Sequence, residues 1–185
     1  MPPPTNIIAL TGFMAAGKST VGRALAGLLS WSFIDLDCEI ERAEGETIRE
    51  IFARRGEVAF RELESQTLRT MLKGAKGAAV IALGGGTFIQ PKNAELLRAS
   101  GAGVVFLEVP IEQLLQRCRA ISERCEQNPR PLAEDEPAFC ALYAQRLPHY
   151  RQADLIVDAE GQLPEEIARA IASALDLMTR DASER

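Results

Sequence analysis

The stretch GFMAAGKST, residues 12–20, constrains this chain more than any other. A glycine followed after four residues by Gly17-Lys18-Ser19 satisfies the phosphate-loop pattern. Glycines let successive backbone N–H groups turn inward around an anion, the Lys18 ammonium reaches the outer phosphates, and the Ser19 hydroxyl is a suitable ligand for Mg²⁺. The flanks agree with the loop: NIIALTG before it reads as a short buried strand and STVGRALAGLL after it as a helix. Strand, glycine loop and helix put a phosphate at a helix N-terminus, where backbone donors and dipole both favour negative charge. The expected cargo is a nucleoside triphosphate such as ATP with its Mg²⁺, held by Ala15, Ala16, Gly17, Lys18, Ser19 and Thr20.

Short apolar, β-branched-rich runs recur at SFID, AAVIAL, GVVFLEV and DLIVD, separated by stretches of helical periodicity. With the first strand they predict an α/β fold: a central five-stranded parallel sheet covered by helices on both faces, in three α/β/α layers. In such sheets ligands gather at the carboxyl ends of the strands. The second run delivers Asp35-Leu36-Asp37, and residues two apart on an extended tract point the same way, so both carboxylates can face one cavity. A helix cap for CEIERA is the competing reading of the aspartates. The third run ends in Gly84-Gly85-Gly86, where either a ligand approaches bare backbone or the chain makes a tight turn. Arg119 to Pro137, charged and proline-bearing, reads as a mobile flap.

The 185 residues suit a single domain with a sizeable core, and a formal net charge of -5 argues against a nucleic-acid partner. No signal segment heads the chain and no apolar run is long enough to span a bilayer, so the expectation is a soluble, cytoplasmic protein without a membrane partner. Cys38, Cys118, Cys125 and Cys140 form no C-x-x-C pair, and His149 cannot complete a zinc site by itself. They are expected to be reduced structural thiols, with the spacing of Cys118 and Cys125 still compatible with a bridge.

Residues 33–64, FIDLDCEIERAEGETIREIFARRGEVAFRELE, resemble the signature region of the shikimate kinases, in Asp35-x-Asp37, Ile40-Glu41, Gly45, Ile48, Ile51-Phe52, Gly56-Glu57, Phe60-Arg61 and Glu64. The resemblance continues through LGGG at 83–86, RPL at 130–132 and YAQRLPHYRQAD at 143–154, from about residue 6 to 177. It implies a monomeric P-loop kinase of the nucleoside monophosphate kinase-like fold, one kinase domain over residues 1–185, with a substrate-binding segment at 37–64 and a flap at 119–137. It further implies transfer of the γ-phosphoryl group of ATP to the 3-hydroxyl of shikimate.

Carried over residue by residue, Arg61 and Arg146 clamp the shikimate carboxylate, a role suited to bidentate guanidinium forks. Asp37 contacts the reacting hydroxyls, and Gly84, Gly85 and Gly86 approach the ring. Mg²⁺ belongs to Ser19 and the phosphates with Asp35 behind it. Lys18 and Arg130 neutralise the transferring group, and Arg117 and Pro164 flank adenine. Taken alone, Arg61 also reads as half of an exposed Glu57–Arg61 helix pair, while Glu64, one turn on, is placed to hold its guanidinium. The chain departs from the family pattern in Ala15, where many relatives carry glycine, in a lengthening within RAISERCEQN, and in RPLA for the commoner RPLL. Those departures leave two alternatives: a kinase of the same fold for another acceptor, such as a gluconate-like acid or a nucleoside monophosphate, and a nucleotide-binding module that has lost catalysis.

Overall fold

The computed structural model describes residues 6–74, 77–124 and 135–176. Five parallel strands form its centre: β1 (Ile7–Thr11), β2 (Ser32–Asp35), β3 (Ala79–Ala82), β4 (Gly103–Glu108) and β5 (Leu155–Asp158), in the order β2-β3-β1-β4-β5. Each coincides with one of the apolar runs, as expected where both faces of a parallel sheet are covered. Neighbouring residues of β1 show this directly, since Ile8 and Leu10 join one core cluster while Ala9 joins the other. The α/β expectation therefore holds, layer for layer.

Helices α1 (Lys18–Leu29), α5 (Ile111–Arg124), α6 (Glu136–Tyr150) and α7 (Pro164–Ala174) contribute to the first cluster, and α2 (Leu36–Glu44), α3 (Ile48–Gly74) and α4 (Pro91–Ala99) to the second. α3 is two helices joined at Gly56, whose φ of 76° and ψ of 176° are not helical. The backbone there lies in a region that only glycine occupies without strain.

Register decides where the strands end. Ala82 pairs with Leu10 of β1 on one side and with Asp35 of β2 on the other. The carboxyl ends of β1, β2 and β3 consequently finish in one line. The phosphate loop, the Asp35–Asp37 segment and the triple glycine all start from that line.

The flap expectation needs correction at both ends. Residues 119–124 are helical, because the buried seam of α5, Leu114, Leu115 and Cys118, is continued at helical spacing by Ile121. Charge density had masked that periodicity. At the other end Asp135 caps α6 by accepting from the Ala138 N–H at 3.0 Å, and Pro137 sits in the first turn, where its missing N–H costs nothing. Residues 125–134, with Arg130 and Cys125, lie outside the described residues.

Candidate active site

The N-terminus of α1 has open donors. Its N-cap is Gly17, no side-chain cap bond is made there among the described residues, and no acidic residue stands in the first turn. Four N–H groups of a helix start lack intrahelical partners, so this end is prepared for an anion. α2 makes the contrast, because Asp35 accepts there from the Asp37 and Cys38 N–H groups at 3.2 and 3.4 Å. Of the two aspartates it is therefore Asp35, not Asp37, that caps. Its other oxygen accepts from the Ser19 hydroxyl at 2.6 Å, so cap and site are one residue.

Lys18 curls over the loop and donates to the carbonyls of Gly12 and Phe13, both at 2.9 Å. Ala15 adopts φ 61°, the left-handed conformation that favours glycine, as its departure from the family pattern suggested. Beside the loop, Ala15, Ala16, Gly17 and Thr20 share a cavity of about 450 Å³ with Arg117 and Pro164. The Arg117 guanidinium donates to the Ala15 carbonyl at 3.4 Å. Residues separated by nearly the length of the chain thus meet around one apolar hollow.

On the other side of the loop the acceptor residues converge on the triple glycine. A Cβ on Gly84 would lie 2.8 Å from Glu64 Oε1 and 3.0 Å from Asp37 Oδ1, and one on Gly86 would collide with the Arg61 guanidinium. A Cβ on Gly85 would make only ordinary contacts, at 3.6–3.7 Å from Met14 N, the Gly12 carbonyl and Arg146 Nη1. At Gly84 and Gly86 an added side chain would have to displace Glu64, Asp37 or Arg61.

Burial raises the Asp37 carboxyl to about 6, the negative charges of Asp35 and Glu64 add to the rise, and Lys18 opposes it. A carboxyl so placed takes up a proton near neutrality far more readily than a surface aspartate. The Arg61 guanidinium meets exposed Glu57 at 3.3 Å and buried Glu64 at 3.0 Å, so the helix pair and the hold by Glu64 are both made. Arg146 Nη1 donates to the Gly85 carbonyl at 3.4 Å, while its buried Nε has no hydrogen-bond partner among the described residues.

Three further residues of this cluster were not among the expected site residues. The Tyr150 hydroxyl donates to the Gly85 carbonyl at 2.5 Å, and burial pushes its phenol up to about 12, so it remains a donor. Thr87 and Gln90 both donate to Glu64. The available signal was spacing: Tyr150 lies one helical turn beyond Arg146, and Thr87 and Gln90 directly follow the glycines.

A parallel sheet with a phosphate loop at one strand end, and two guanidinium groups with a buried carboxyl gathered at a triple glycine beside it, fits a P-loop small-molecule kinase. The model of the shikimate kinase family matches residues 14–176. The chain is 41% identical over 175 residues to the shikimate kinase of Chlorobium chlorochromatii, covering 90% of each chain. It is 42% identical over 179 residues to that of Parasynechococcus marenigrum, covering 95% of this chain and 89% of the relative. The shikimate kinase from Acinetobacter baumannii, solved in complex with shikimate, superposes with a TM-score of 0.80 at 37% identity, covering 95% of each chain. The chain belongs to the shikimate kinase family.

Proposed function

We infer that this protein phosphorylates the 3-hydroxyl of shikimate with ATP, giving shikimate 3-phosphate and ADP on the route to the aromatic amino acids. One observation carries the reading. Asp37, Arg61 and Arg146 gather around Gly84–Gly86, and a Cβ on Gly85 would lie within 3.7 Å of Met14 N and the Gly12 carbonyl of the phosphate loop.

Phosphoryl transfer asks a protein chiefly for positioning and charge neutralisation. The open amides of α1 and the Lys18 ammonium receive the β- and γ-phosphates. Arg61 and Arg146 grip the acceptor carboxylate, whose oxygens satisfy the buried Arg146 Nε–H. Asp37 orients the 3-hydroxyl and takes its proton as the new O–P bond forms and the bond from the γ-phosphorus to the β,γ-bridging oxygen breaks. By the resemblance Arg130, which lies outside the described residues, neutralises charge on the transferring group, and Arg117 stacks on adenine opposite Pro164 in the 450 Å³ cavity.

Ser19 Oγ and Asp35 Oδ2, hard oxygen donors 2.6 Å apart, fit Mg²⁺. Bound there with the triphosphate, the ion supplies charge neutralisation at the phosphate oxygens. Asp35 remains fixed for this task by its cap bonds to α2. The protein acts as a cytoplasmic monomer with no nucleic-acid or membrane partner, and among the described residues no helix is long and apolar enough to cross a membrane.

Coupled ADP release from purified protein with Mg-ATP and shikimate tests the reading. Turnover is expected with shikimate; none above background, or preferential turnover of gluconate, overturns it.

A further inference from the structure

The guanidinium that grips the acceptor is itself gripped, and not by its cation–anion partner alone. Glu64 is 0% exposed, as is Thr87. Its Oε1 accepts from Thr87 Oγ1 at 2.5 Å, and its Oε2 accepts from Gln90 Nε2 at 2.9 Å and from Arg61 Nη1 at 3.0 Å. A carboxylate buried so completely requires donors on both oxygens, and each one removes a direction in which it can turn.

Gln90 occupies the N-cap position of α4, where a side chain ordinarily bonds the first-turn amides, yet it makes no cap bond. Its amide donates instead to Glu64 and, at 3.5 Å, to the Gly86 carbonyl. The Gly86 backbone is also the one against which Arg61 packs. Thr87 is tethered in turn, because Asn93 Nδ2 donates to its carbonyl at 3.1 Å from within α4. The segment that carries the glycines therefore also carries the donors that aim the arginine.

We propose that Thr87 and Gln90 are positioning residues of the acceptor clamp: by holding Glu64 they set the Arg61 guanidinium against the triple glycine at the separation the acceptor carboxylate and ring require. The inference rests on the shikimate kinase reading of the site. Neither side chain need touch the acceptor. Both act through Glu64, so their loss weakens acceptor binding and leaves the nucleotide side alone.

Steady-state kinetics of the full chain tests this, with shikimate and Mg-ATP varied separately for wild type, Thr87→Val, Thr87→Ser and Gln90→Met. Thr87→Val keeps the shape and removes the hydroxyl; it is expected to raise KM for shikimate roughly tenfold, with KM for ATP within about twofold and kcat within about threefold. Gln90→Met is expected to raise it roughly threefold, and Thr87→Ser to restore wild-type behaviour. Unchanged KM for shikimate, or an equal rise in both KM values, overturns the proposal. Should Thr87→Val fail to fold, half-buried Gln90→Met decides the matter by the same split. An active wild type with unaffected variants sinks this inference alone, whereas a wild type that does not turn over shikimate sinks the functional reading and this one with it.

Discussion

The two ends of the site are built on opposite plans. The phosphate-binding part of the nucleotide end comes from one contiguous segment, residues 12–20, and leaves the start of α1 without a side-chain cap among the described residues, while Lys18 and Ser19 bond Gly12, Phe13 and Asp35. The acceptor end is assembled from α2, α3, the loop after β3 and α6, and its charged groups are held by partners, with Glu64 receiving Arg61, Thr87 and Gln90. A triphosphate brings enough charge to organise open amides around itself. A small ring acid brings one carboxylate, so the protein must supply the geometry beforehand.

Four substitutions sharpen or break that contrast, and the largest effect belongs to Lys18. Lys18→Met is expected to lower kcat by about two to three orders of magnitude while leaving shikimate affinity near wild type, because the lost charge acts on the phosphates. Shikimate titration by calorimetry or thermal shift, read beside turnover, checks the separation. A comparable loss of shikimate binding would mean that the two ends are not independent.

Arg61→Ala attacks the other end. It removes an acceptor ligand and leaves Glu64, 1% exposed in its side chain, buried without its cation. A rise of about a hundredfold in KM for shikimate is expected, with kcat reduced less. Titration of initial rates against both substrates checks it, and an unchanged KM would remove Arg61 from the clamp.

Asp37 gives a stability effect of opposite sign. Its folded value of about 6 exceeds the ordinary 3.8, so between those pH values the folded state holds a proton that the unfolded chain has released. Stability therefore falls as pH rises through this window, and the penalty is complete above about pH 6. Asp37→Asn is expected to stabilise the fold by on the order of 2–3 kcal/mol at pH 7.5 and to lose that advantage below pH 4, while turnover collapses. Urea unfolding at the two pH values measures it. Equal stability at pH 7.5 would mean the carboxylate is better solvated than its burial implies.

The smallest change concerns the loop. Ala15→Gly relieves a left-handed alanine at φ 61°, and the gain of roughly 1 kcal/mol is partly offset by glycine's greater freedom when unfolded. A Tm higher by about 2 °C is expected in differential scanning calorimetry. A lower Tm would show that the phosphate loop is not strained there.

Legibility followed the same division. Strands of a buried parallel sheet are apolar throughout, so the five runs were readable one by one, and the phosphate loop compresses its function into nine neighbouring residues. Asp35 and Asp37 were readable as a pair but not as individuals. Whether an aspartate caps a helix or reaches toward another segment depends on backbone angles beyond the residue itself, and Asp35 both caps α2 and accepts from Ser19. Arg61 posed the same choice, and its fork answers Glu57 and Glu64 together. In α5 the charges of Arg119 to Arg124 resembled a loop because half of a surface helix is meant to look like solvent-exposed chain.

By itself the sequence determined the layer order, the anion-binding loop and the chemical types brought to each strand end, because periodicity and a nine-residue motif are local properties. Only the tertiary structure decided that Ala82 stands level with both Leu10 and Asp35, that Gln90 abandons its helix for Glu64, and that Tyr150 reaches the Gly85 carbonyl. Those are distances between segments far apart along the chain. They are set by sheet register and helix packing, which no single segment contains.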